Sequence, residues 1–259
     1  MKIIAVNEYE ELSKVASKII IEKVKNQPDC VLGLATGGTP EKTYQLLIED
    51  FKRNATTYQN VNTVNLDEYV GLPNNHPQSY HSYMFHKLFK LLDLKSENIH
   101  MPDGMVSDLQ EECKRYDMIL DHLNYPDLQL LGIGSNGHIG FNEPGSPFSQ
   151  KTYVTTLSES TRLANARFFN HLDEVPSHAI TMGISGILKS KEILLLASGE
   201  SKAKAVKELL VGELDMNFPA SALKSHKHVT IIVDSLALKE VRKIKDIELS
   251  EATCGGHEI

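Results

Sequence analysis

Two apolar patterns alternate along the chain. Short apolar-rich stretches at 2–6, 30–34, 61–66, 128–133, 193–197 and 229–233 have the length of strands, and the nearly unbroken run at 128–133 is that expected of a parallel strand buried on both faces. Between them, apolar residues recur three and four apart. Leu12, Val15, Ala16, Ile19, Ile20 and Val24 form one such stripe, and Tyr44, Leu47, Ile48 and Phe51 another. The same spacing predicts helices over 79–92, 107–123, 159–169 and 201–210, and two more strands are predicted at 152–157 and 179–182. Asn7, with Glu10 three residues on, reads as a capping box for the first helix. Thr39 reads as the cap of the second, with Pro40 in its first position. Strands alternating with helices predict an α/β protein with a doubly wound, mostly parallel sheet and helices on both faces. No repeat, low-complexity tract or linker interrupts the pattern. The expected organisation is therefore one domain over 1–247 and a loose tail over 248–259.

The run at 128–133 leads into LGIGSNGHIGFNEPG, where Gly132, Gly134 and Gly137 require a tight turn after the strand. Asn136, His138, Asn142 and Glu143 fall within that turn. Ligands of open α/β sheets bind beyond the carboxyl ends of the strands, so a histidine and a carboxylate there can serve as a base and its orienting partner. A glycine turn carrying a solvated His and Glu is the alternative. The second informative loop is ATGGTP, after the strand at 30–34. Adjacent glycines before a helix start present unpaired N–H groups and the positive end of the helix dipole to an anion, and Thr36 and Thr39 add hydroxyls around Gly37 and Gly38. The spacing fits neither a P-loop nor a dinucleotide fingerprint, which favours a simple phosphate ester; an ordinary βα turn is the alternative. Lys202, in the first turn of a helix where a cation gains nothing from the dipole, is a candidate partner for that anion. Arg162 and Arg167 are candidates as well, and each of the three also reads as a surface charge. The third loop, NLDEYVGLP, brings Asp67 and Glu68 to a strand end, or else opens a turn with two solvated acids. Together the three loops describe acid–base chemistry on a phosphorylated small molecule.

Composition narrows the partners. The chain has 259 residues, 41% hydrophobic and 24% charged, as in ordinary globular proteins, and its net charge of −7 disfavours nucleic acid and anionic membranes. Cys30, Cys113 and Cys254 are odd in number and widely spaced, as idle thiols in a reducing compartment are. The N-terminus is too short in apolar residues for a signal peptide, and no run approaches a membrane span, so a soluble cytoplasmic protein is expected. His76, His81 and His86 are five apart, which does not place two ligands on one helix face, so no metal is expected. No serine lies in a G-x-S-x-G elbow.

GLATGGTP, NLDEYVGLP, HPQSYHSYM, LGIGSNGHIGFNEPGS and TRLANARFF, in this order, resemble the glucosamine-6-phosphate deaminase family along most of the chain. The resemblance implies a Rossmann-like fold. It also implies conversion of glucosamine 6-phosphate and water into fructose 6-phosphate and ammonia, with no metal or organic cofactor. Carried over by position, His138 opens the pyranose ring and is oriented by Glu143, Asp67 moves a proton from C2 to C1, and Thr36, Gly37, Gly38, Thr39, Arg167 and Lys202 hold the phosphate. Two positions depart from the family pattern. Asn136 stands where many members have aspartate, so support of a protonated His138 falls to Glu143. Tyr153 and Thr155 stand where members activated by N-acetylglucosamine 6-phosphate are basic, with only Lys151 cationic nearby. A monomer or small homo-oligomer is therefore expected over an allosteric hexamer. The alternatives are a 6-phosphogluconolactonase, which resembles this family in fold and in its glycine-rich turn, a phosphosugar isomerase, and a non-enzymatic sugar-phosphate sensor.

Overall fold

The two apolar periods resolve into strands and helices close to where the sequence places them. In a computed structural model, which describes residues 1–241 and 250–251, the chain runs β1 (Lys2–Val6), α1 (Tyr9–Asn26), β2 (Val31–Leu34), α2 (Gly38–Asn54), β3 (Asn62–Asn65), β4 (Asp67–Tyr69), α3 (Tyr80–Lys87) and β5 (Ile99–His100). It continues through α4 (Leu109–His122), β6 (Leu128–Gly132), β7 (Tyr153–Thr156), α5 (Glu159–Asn165), β8 (His178–Thr181), α6 (Ile184–Leu188), β9 (Glu192–Ala197), α7 (Ala203–Val211), β10 (Val229–Asp234) and β11 (Ser250–Glu251).

The main sheet has the order β11-β1-β10-β9-β6-β2-β3-β5, and every pairing in it is parallel. Because side chains alternate between faces, its strands feed two cores at once. Leu194 and Leu196 of β9 pack with Leu12, Ala16 and Ile20 of α1 and Leu47 of α2 on one face. Ile193, Leu195 and Ala197 pack with Tyr116 and Leu120 of α4 and Val206 and Leu209 of α7 on the other. This two-sided burial explains why the strand at 193–197 is apolar without a break.

The strands expected at 152–157 and 179–182 form, but not in the main sheet. β7 and β8 pair antiparallel and β4 joins β8 in a second sheet of order β4-β8-β7. β7 has one largely buried position among partly exposed ones, Thr155, which suits a one-sided sheet rather than a doubly covered one. Leu66 marks the change of sheet: its N–H donates to the Leu34 carbonyl of β2, and its own carbonyl accepts from Met182 after β8.

Both proposed helix caps fall elsewhere. Glu8, not Asn7, is the N-cap of α1, and Glu11 reaches back to accept from the Asn7 N–H at 2.8 Å and its side-chain amide at 3.1 Å. Gly37 is the N-cap of α2, so Thr39 and Pro40 lie inside its first turn. Three helices are shorter than their periodicity suggests, with 3₁₀ turns at Phe89–Leu91, Ala166–Phe168 and Glu200–Lys202 taking up the difference. Of the expected tail at 248–259, Ser250–Glu251 pairs with β1 rather than hanging loose, and the remainder lies outside the described residues. Cys30 and Cys113 are free and buried, which pushes both thiols up, Cys30 to about 12 and Cys113 to about 11; Cys254 lies outside the described residues. No described helix is long and apolar enough to cross a membrane.

Leu195 is fully buried under α7. Leu195→Ala is expected to lower unfolding stability by about 2–5 kcal/mol, read as a shift of the urea midpoint at unchanged slope.

Candidate active site

From β2 the chain moves outward through β3 to β5, then returns to place β6 on the other side of β2 and continues to β9 and β10. Strand order reverses between β2 and β6, which makes the crevice at their carboxyl ends the natural ligand position. A cavity of about 300 Å³ opens there, and the loops after β2, β3 and β6 all contribute to it. Thr36, Gly37, Gly38, Thr39, Asp67, Asn136, His138, Arg167 and Lys202 line this cavity, and Glu143 stands behind Asn136 in contact with it. The ten candidate residues thus meet. Arg162 does not join them; its guanidinium binds the carbonyls of Leu172 and Val175 and ties α5 to the following turn.

The turn after β2 is shaped to meet an anion. Gly37 has φ +103°, open to glycine but strained for any other residue. The first-turn amides of α2 have no intrahelical acceptor. The carbonyls of the turn are drawn away by tyrosines: Tyr83 donates to the Gly37 oxygen at 2.6 Å and Tyr9 to those of Gly38 and Thr39 at 2.9 and 3.1 Å. Lys202 is partly buried in the turn before α7, and burial together with the nearby Arg167 guanidinium lowers its pKa. Two cations brought together beside a helix N-terminus favour a dianion between them.

The turn after β6 builds a relay rather than a direct pair. The Asn136 amide donates to Glu143 Oε2 at 2.8 Å, while its carbonyl oxygen accepts from the His138 backbone N–H at 3.2 Å. His138 Nδ1 lies 3.8 Å from the same carboxylate oxygen, beyond a direct hydrogen bond. The other Glu143 oxygen accepts from the hydroxyls of Ser158 and Thr161. Glu143 is thereby fixed in place beside the imidazole. The His138 pKa is lowered, by burial first and by Lys202 in addition, with Glu143 opposing; a neutral ring able to accept a proton results. Gly134 permits this placement, since a Cβ there would come within 2.4 Å of the His138 ring. Asn142, also in this turn, points away and donates to Ile139 and Met182 carbonyls at 2.9 Å, locking the loop to β8.

The third loop holds the largest departure from solvated behaviour. Asp67 is buried, and desolvation, with the Glu68 charge beside it, raises its pKa to about 8. Sequence reasoning placed Asp67 at the end of β3; it opens β4 instead and still lines the cavity. Several contributors had no sequence signal. Tyr9, Tyr83, Ser158 and Thr161 are ordinary surface types until the fold assembles them. Tyr69, Tyr80 and Phe141, which pack into an aromatic wall with centroids 4.8–5.8 Å apart, come from β4, α3 and the turn after β6. Among the described residues, no three His, Cys, Asp or Glu side chains converge as metal ligands; His81 instead meets Glu68 at 2.7 Å.

A carboxyl whose folded pKa is raised destabilises the fold as pH climbs from its unfolded value of 3.8 to about 8, because the folded state then holds the extra proton. Asp67→Asn removes that penalty. The variant is expected to match wild type at pH 4 and to exceed it at pH 8 by on the order of a few kcal/mol, measured by urea denaturation at both pH values.

Comparisons with known proteins identify the family and the fold. The family model for glucosamine-6-phosphate isomerases/6-phosphogluconolactonase matches residues 7–232. A glucosamine-6-phosphate deaminase from Halalkalibacterium halodurans is 51% identical over 241 residues, covering 93% of this chain and 98% of its own. Glucosamine-6-phosphate deaminase 1 of Bacillus subtilis is 53% identical over 234 residues, covering 90% and 97%. A solved structure of a monomeric glucosamine-6-phosphate deaminase, 52% identical, superposes with a TM-score of 0.92 over 93% of this chain and 100% of that one. The 6-phosphogluconolactonase of Trypanosoma brucei, only 19% identical, shares the fold with a TM-score of 0.76 over 93% and 98% of the two chains. The chain belongs to the glucosamine-6-phosphate isomerase/6-phosphogluconolactonase family.

Proposed function

We propose that the chain converts glucosamine 6-phosphate and water into fructose 6-phosphate and ammonia. One observation carries the reading: a buried, proton-holding Asp67 and a neutral His138 backed by Glu143 share a cavity with an anion cradle at the sheet's switch point. Relatives named for this reaction, about half identical over nearly the full chain, support it.

The phosphate sits on the first-turn amides of α2 with the Thr36 and Thr39 hydroxyls, flanked by Arg167 and Lys202. This anchoring fixes C1 and C2 of the sugar opposite the acids and bases. His138 takes the proton of the anomeric hydroxyl and returns one to the ring oxygen, which opens the pyranose to the aldehyde. Glu143 stabilises the imidazolium in between, its charge reaching the ring across 3.8 Å while Asn136 holds both partners in place. Asp67 ionises beside the substrate's cationic amine, takes the C2 proton to leave an enolamine, and delivers the proton to C1. Water then adds to the resulting C2 iminium and ammonia leaves, giving the ketone. The oxygen of the added water replaces the nitrogen lost as ammonia.

The finer statements follow from the same reading. The chain acts in the cytoplasm as a monomer or small homo-oligomer, in keeping with the relative described as monomeric. Tyr153, whose hydroxyl pairs with that of Ser146 at 2.9 Å, and the buried Thr155 offer no charge for a second anionic effector.

Ammonia release from glucosamine 6-phosphate tests the proposal directly, with 6-phosphogluconolactone as the competing substrate. Wild type is expected to release ammonia and to leave the lactone unhydrolysed. Asp67→Asn and His138→Gln are each expected to lose at least about 10²-fold in kcat, and near-normal turnover in either overturns its role. Asn136→Asp adds a second negative charge beside His138 and is expected to raise the acid-side pKa of the rate profile; an unmoved limb with intact activity would count against Glu143 as the ring's main electrostatic partner.

A further inference from the structure

Glu68 is adjacent to the proposed proton carrier yet has no role in the steps above. Successive strand residues point to opposite faces, and Glu68 turns away from the cavity into a fully buried site. There its carboxylate is saturated with donors. Oε1 accepts from the backbone N–H groups of Tyr69 at 2.8 Å and Tyr80 at 3.0 Å; Oε2 accepts from the His81 N–H at 2.9 Å and meets His81 Nδ1 at 2.7 Å. Tyr80 and His81 open α3, so a carboxylate from a distant strand satisfies first-turn amides that no residue of the helix can satisfy. One turn along, Tyr83 lays its hydroxyl on the Gly37 carbonyl at 2.6 Å, at the N-cap of the anion cradle. A continuous polar path therefore runs from the Asp67 strand, through α3, to the turn that meets the phosphate.

We infer that Glu68 is a positioning residue that, clamped with His81 onto the start of α3, sets the spacing between the Asp67 carboxyl and the Gly37 turn. The substrate is held at one end by its phosphate and reacts at the other, so this spacing decides whether C2 lies against Asp67. Each end remains built without the link. The cradle keeps its helix terminus, and Asp67 keeps its ladder to Thr181. Loss of Glu68 therefore penalises a ligand that must reach both ends far more than one that occupies the cradle alone. A residue serving only to hold the fold together would weaken both ligands alike.

The inference rests on the proposed reaction, and a double-mutant cycle separates the two. Wild type, Glu68→Gln, Tyr83→Phe and the double variant are compared in ammonia release from glucosamine 6-phosphate and in calorimetric binding of inorganic phosphate. Gln keeps the size but sets an amide N–H against the His81 N–H. Each single variant is expected to lose about tenfold or more in kcat/KM, while Glu68→Gln, whose side chain lies outside the cradle, keeps its Kd for inorganic phosphate within about threefold of wild type. Since both act on one path, the double variant is expected to be within about twofold of the poorer single. Multiplying losses, an equal loss of inorganic phosphate binding by Glu68→Gln, or an unchanged Glu68→Gln overturns the link. Absence of ammonia from wild type overturns the reaction instead. If Glu68→Gln is recovered unfolded, the same cycle run with His81→Asn in its place, which leaves the buried carboxylate intact, decides the question by the same outcomes.

Discussion

Strands β2 and β6 lie side by side, Leu32 opposite Leu128 and Gly33 opposite Gln129, yet the chain leaves them toward opposite edges of the sheet. Their pairing is secured at its start by Asp127, whose N–H donates to the Val31 carbonyl at 2.8 Å and whose carboxylate accepts the Val31 N–H at 2.7 Å. Lys191 pairs with that carboxylate at 2.6 Å. With the two strands in fixed register, the turns that follow them open side by side at the other end. The anion cradle and the histidine turn face one cavity for that reason, and the helices on either side inherit their directions from it.

The cavity sorts its ionisable groups by what surrounds them. Asp67 and Glu68 are neighbours in sequence and both are buried, but one is starved of donors and holds its proton, while the other is ringed by backbone amides and a histidine. His138 and Glu143 are separated by a similar division of labour. The carboxylate is satisfied by Asn136 and two hydroxyls, so it offers charge to the ring without competing for its nitrogen. Chemistry at this site is set less by which residues are present than by how many hydrogen bonds each already has.

Much of this was legible in the chain. Apolar-rich stretches named the six principal strands, most plainly at 193–197, where burial on both faces leaves no room for polar alternation. The glycine turns named the loops that meet the ligand because few other residues enter those conformations. The alternating period could not say that β7 and β8 leave the main sheet, since strand propensity is blind to partner. Cap positions slipped at Asn7 and Thr39 because each helix is capped at a neighbouring residue, Glu8 and Gly37, with Glu11 accepting from the Asn7 N–H four residues back. Glu68 read either as an acid at a strand end or as a solvated one, and its distance from α3 in sequence hid its partners there. Tyr9 and Tyr83, which hold the cradle, are invisible for the same reason: nothing near them in sequence announces a carbonyl waiting across the fold.

Leu66 is where the chain passes from one sheet to the other, giving its N–H to β2 and its carbonyl to the residue after β8. The cradle belongs to the first body and Asp67 to the second. A sugar phosphate lying across the cavity is in effect a cross-brace between two slabs, and its binding free energy adds to their cohesion with the logarithm of its concentration. On the proposed function, supply of the substrate therefore bears on resistance to heat and proteases as well as on rate.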